Sequence, residues 1–155
     1  MKKILSLIAL TAVIVVITSC SSAKNTSSAL QKESEGLLFE YTAITRGSYK
    51  SVVVTPTQIT TAKNRDKQDS VTKKLTADEW KAVYDYYKAI KDVNTIRDLE
   101  APSKKHQYDG ALAATLTINV ADQVYNSSTF DHGNPPAEIK PLVDKIIALS
   151  DLDKK

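Results

Sequence analysis

Leu112, Ala114, Leu116, Ile118 and Val120 alternate strictly with small or polar neighbours. That period of two predicts a strand with one buried face. Leu37 to Thr45 and Tyr49 to Thr55 are rich in aromatic and branched residues, and Arg46-Gly47-Ser48 between them reads as the turn of a hairpin. Pro56 ends the second strand, and the Thr-rich stretch from Gln58 to Lys63 reads as a short third strand at an edge. Ala121-Asp122 reads as a two-residue turn after the cleanest strand, with Gln123 to Phe130 returning as the last strand.

The period changes in two places. Thr76 and Glu79 have the spacing of a capping box, and Leu75 and Trp80 that of a hydrophobic staple. Trp80, Val83, Tyr84, Tyr87 and Ile90 then form one helical stripe, read as a face packed on a sheet. Ile139, Leu142, Val143, Ile146 and Leu149 form a second stripe. Pro141 within it implies either a kink or a helix that begins at the proline. The order is β-β-β-α-β-β-α. It predicts an α+β fold: an antiparallel sheet of about five strands with two helices on one face.

The N-terminal pattern is different again. Lys2 and Lys3 precede an almost unbroken apolar run from Ile4 to Ile17, followed by Thr18, Ser19 and the only cysteine, Cys20. The run is shorter than the ~20 apolar residues a membrane span requires. A charged start, a short apolar middle and small residues at the exit describe a signal peptide. The stretch Ile17-Thr18-Ser19-Cys20 resembles the lipobox of bacterial lipoproteins, with Ile17 and Ser19 where Leu and Ala or Gly are usual. The resemblance implies removal of residues 1–19 and acylation of Cys20 at its sulfur and new amino group. Ser21 rather than Asp follows the cysteine, and no acidic cluster lies in residues 21–25. In lipoproteins that implies an outer-membrane anchor with the domain facing the periplasm. Residues 20–35 are Ser-rich and poor in large apolar residues, which predicts a disordered tether reaching roughly 20 Å. The folded domain is expected over residues 36–155.

Charge removes further possibilities. The chain has 21 Lys+Arg against 18 Asp+Glu, a net +3. Without Lys2 and Lys3 the balance is +1, too small for a nucleic-acid partner. A single cysteine excludes an intrachain disulfide and a thiolate metal site. Phosphate-cradling, dinucleotide and nucleophile-elbow motifs are absent, and no cofactor is expected.

Chemistry concentrates through strand register. If Val120 faces Gln123, then Ala113 faces Phe130 and Leu112 faces Asp131. His106, Tyr108 and Asp109 then lie near Asp131 and His132 at one end of the sheet, with Arg46 expected at the other end. These five residues form the candidate binding loops. Imidazoles beside carboxylates suit a divalent metal, and His132 oriented by Asp131 or Asp109 suits a general base of a small hydrolase. The competing account is structural and is preferred. Asp109-Gly110 and Gly133 supply turns, Asp131 bonds loop amides, and Asn134 caps the last helix with Pro135 at its first position.

LFEYTAITRGSYK (38–50) and FDHGNPP (130–136) resemble stretches of a group of small bacterial envelope lipoproteins. The resemblance implies a fold and an address but no reaction. The remaining function class is binding: a tethered module that engages or inhibits an envelope protein.

Overall fold

The computed structural model describes residues 29–153. Residues 1–28, with the expected signal peptide and Cys20, lie outside the described residues. Residues 29–33 are helical and residues 34–36 form a turn. The domain that follows has strands β1 (Leu37–Ile44), β2 (Tyr49–Val54), β3 (Gln58–Ala62) and β4 (Val71–Lys74). Helix α1 (Ala77–Lys88) comes next, then two 3₁₀ segments at Val93–Asp98 and Lys105–Tyr108. Strands β5 (Ala113–Val120), β6 (Gln123–Asn126) and β7 (Phe130–Asp131) and helix α2 (Lys140–Leu149) complete it. The sheet is antiparallel and ordered β4-β3-β2-β1-β5-β6, with β7 also on β5. The α+β class stands, with seven strands rather than about five.

Leu37, Phe39, Tyr41 and Ala43 of β1 alternate into the core, and the last three each face a buried residue of β5. Phe39 meets Trp80 and Tyr87 of α1 at centroid distances of 5.9 and 5.5 Å. Leu142, Val143 and Ile146 bury the stripe of α2. The opposite sheet face is polar and joined by threonine pairs, Thr42 to Thr115 and Thr60 to Thr72, each at 2.9 Å. The capping box at the start of α1 is complete: Thr76 Oγ1 accepts from the Glu79 amide, and the Glu79 carboxylate accepts from the Thr76 amide. The bond from the Thr76 amide and a second from the Thr76 hydroxyl, the largest influences on Glu79, hold its carboxyl below the usual range.

Four details depart from the sequence reading. β4 was not expected; its residues are all exposed, so it carries no apolar alternation. The returning strand divides into β6 and β7, because at Ser127 the Leu116 amide donates to the side-chain Oγ. That rung moves the register by one residue: Val120 faces Gln123 as expected, but Ala113 faces Asp131 and Ala114 faces Phe130. α2 starts at Lys140 with Pro141 in its first turn, and Ile139 occupies the N-cap position, so Asn134 does not cap it and Pro135 is not in it. The ordered domain begins by Ser34 rather than Gly36: Ser34 is 2 % exposed and its Oγ accepts the Trp80 indole N–H at 3.0 Å.

Candidate functional site

β7 ends at Asp131, and His132 opens the turn that follows it. The two side chains enter separate networks.

Asp131 is 3 % exposed. Its Oδ2 accepts from Ser103 Oγ at 2.5 Å and from the Lys105 amide at 3.0 Å. Its Oδ1 accepts from the His106 amide at 2.7 Å and from His106 Nδ1 at 2.6 Å. Both amides belong to the first turn of the 3₁₀ segment, so a carboxylate 25 residues away does the work that a local N-cap would do. The burial of Asp131 by itself raises its pKa. The bonds from Ser103, from the His106 amide and ring, and from the Lys105 amide outweigh that and hold the carboxyl far below the usual range. Ser103 Oγ in turn accepts from Asn134 Nδ2 at 2.7 Å, and the Asn134 amide donates to the Asp131 carbonyl at 2.8 Å. The 103–108 segment is thereby fastened to the 131–134 turn.

His132 points to the core side. The Tyr41 hydroxyl bonds its Nδ1 at 2.7 Å, and Asp153 Oδ1 lies 3.2 Å from its Nε2. Tyr41 also accepts from the Gly133 amide. Burial pushes the Tyr41 phenol far above its ordinary value and keeps it a neutral donor; the carboxylates of Asp153 and Asp144 act in the same direction. Lys50 pairs with Asp153 and lies 3.2 Å from His132 Nε2. Burial tends to raise the Asp153 pKa, but the bonds from Lys50 and His132 lower it below the ordinary range.

The expected convergence is thus only partial. His106 and Asp131 meet. His132 belongs to the other network. Asp109 takes a left-handed conformation (φ 60°) at the end of the 3₁₀ segment, and Tyr108 is 72 % exposed. No group of three or more His, Cys, Asp or Glu side chains among the described residues could hold a metal ion. A catalytic pair would be His106 with Asp131, not His132, since the carboxylate fixes His106 Nδ1 and turns Nε2 away. The nearest hydroxyl of that network, Ser103, is spent on Asp131 and Asn134.

Arg46 is misplaced in the sequence reading. β1 and β5 run antiparallel with Ile44 opposite Ala113, and Ala113 is opposite Asp131. The Arg46 turn therefore shares an end of the sheet with the 103–110 and 131–134 loops. Leu37, where the chain joins the sheet, is opposite Val120 at the other end. The groups that sequence reasoning missed are Ser103, Tyr41, Lys50 and Asp153; isolated residues of such types carry no spacing signal, and only the tertiary fold brings them together. Comparison with protein-family models, with curated proteins and with solved structures finds no match to this chain.

Proposed function

We propose that this chain is a lipid-anchored protein of the bacterial envelope, held in the outer membrane through Cys20 and facing the periplasm. It acts by binding a protein partner, as an inhibitor-type or scaffolding module, rather than by catalysis. The observation that carries the binding reading is the engagement of Asp131: four donors occupy its two oxygens, so the most acidic buried group of the site fastens loops together. The loop end so rigidified presents exposed Tyr108 and lies opposite the end at which the chain enters the sheet. A domain tethered through its N-terminal segment would turn that end away from the membrane.

Two experiments test the two halves. Metabolic labelling with a fatty-acid analogue should mark the wild-type chain and not Cys20→Ser; equal labelling removes the anchor. Affinity capture from envelope extract should enrich one protein with the wild type, and loop substitutions such as Tyr108→Ala should weaken it. Hydrolytic turnover that disappears in His106→Gln would instead favour an enzyme.

A further inference from the structure

The turn at Thr45–Ser48 and the loop after β3 face each other across a cleft of about 280 Å³, lined by Thr45, Arg46, Ser48, Lys63, Asn64 and Arg65 along with Gly47 and Tyr49. Three cations line it and no carboxylate does. Arg46 and Arg65 are exposed, and neither has a carboxylate at ion-pair distance among the described residues. Arg97, the chain's other arginine, contrasts with them: it pairs with Asp98 at 3.5 Å.

The walls are held in place. The Thr45 amide donates to the Ser48 carbonyl at 2.9 Å and closes the turn. Asp69 accepts from the Lys63 and Asn64 amides at 2.9 and 3.1 Å and fixes the facing loop. The Arg65 guanidinium lies 5.8 Å from the centroid of the Tyr49 ring, a cation–π contact. A guanidinium so placed offers paired N–H groups that match a carboxylate bidentately. A phosphate cradle uses runs of backbone amides. Here the successive amides of the 63–64 wall are already taken by Asp69, so that wall offers side-chain donors.

We infer that this cleft, with Arg46 and Arg65 on its two walls, is a binding site for carboxylate groups on an acidic segment of a protein partner. The inference deepens the partner-binding reading by naming the chemistry of the partner, and it rests on that reading. The cleft lies at the same sheet end as the fastened loops, so both face one partner.

The test is NMR titration of the full chain in a neutral detergent, following the arginine Nε–Hε resonances at constant ionic strength. A hexaglutamate peptide should shift Arg46 and Arg65 saturably and leave Arg97 still. The double variant R46Q/R65Q should bind about tenfold or more weakly, R46K/R65K should fall between, and R97Q should match wild type. Preserved dispersion of the remaining resonances shows that each variant is folded. Shifts that follow ionic strength alone, equal binding by R46Q/R65Q, or tighter binding of inorganic phosphate than of the peptide would overturn the assignment. Peptide binding without capture of any envelope protein would keep the site and remove the partner reading. A partner captured equally by wild type and R46Q/R65Q would keep the partner reading and remove the site.

Discussion

Trp80 donates its indole N–H to the Ser34 hydroxyl, 46 residues earlier in the chain. The indole is fully buried against Phe39 and Tyr84, and its single polar atom has been given a partner from outside the helix. Trp80→Ala should cost about 3–5 kcal/mol, the usual loss for a large buried aromatic. Ser34→Ala should cost about 1–3 kcal/mol, because it strands a buried donor while removing almost no apolar area. Urea unfolding of both variants checks this. A negligible loss for Ser34→Ala would mean that the domain starts later in the chain.

Asp131 should make the fold acid-sensitive. Its carboxyl is held below the ordinary value of 3.8, so on acidification the unfolded chain takes up the proton first. The stabilisation is complete above that ordinary value and is lost as pH falls from it through the folded value. Asp131→Asn should lower stability by about 2 kcal/mol or more near neutral pH and flatten the dependence below pH ~4. Unfolding midpoints measured across that range, wild type against variant, provide the check. Parallel curves would place the acid sensitivity elsewhere.

The two histidines should behave as structural donors and acceptors. Replacing both His106 and His132 by Gln should cost about 1–2 kcal/mol, since each loses a bond to a buried partner and glutamine restores part of it. Elemental analysis should give the same metal content before and after the change, and a chelator should leave the wild-type melting curve unmoved. One equivalent of tightly held metal, with a fall in melting temperature on chelation, would require a metal site instead.

Backbone conformation offers a stabilising substitution. Ala121 opens the β5–β6 turn with φ at 49°, and its amide donates to the carbonyl of Gly36, itself at φ 80°. Ala121→Gly should stabilise the domain by about 0.5–1 kcal/mol, and Gly36→Ala should destabilise it by about 1 kcal/mol. The added Cβ at Gly36 would lie 3.6 Å from Ala121 Cα, an ordinary contact, so the loss would come from the backbone. Thermal melts of the two variants should move in opposite directions.

What the sequence reveals here depends on periodicity. β1, β5 and α1 are legible because burial on one face imposes a regular apolar spacing, β2 by its branched residues, and the Thr76–Glu79 box marks a helix start directly. β4 is illegible because an exposed edge strand buries nothing. The split between β6 and β7 rests on one serine side chain replacing one backbone rung, which no pattern of hydrophobicity records. At the site, the pairing of His106 with Asp131 follows from approximate register alone. Separating His132 from them requires knowing that β7 ends at Asp131 and that the following turn sets His132 against Tyr41, and moving Arg46 to the same end requires knowing that β1 neighbours β5.

The position of β1 also has a mechanical meaning. It is the strand through which the chain joins the sheet, and it is bonded along its length to β2 on one side and β5 on the other. A pull along the axis of β1 is resisted by the neighbouring strands. It loads the rungs of both ladders in shear together, whereas a pull on an edge strand such as β4 can peel its rungs off one by one. β1 is thus held more firmly against force along its own axis than an edge strand is.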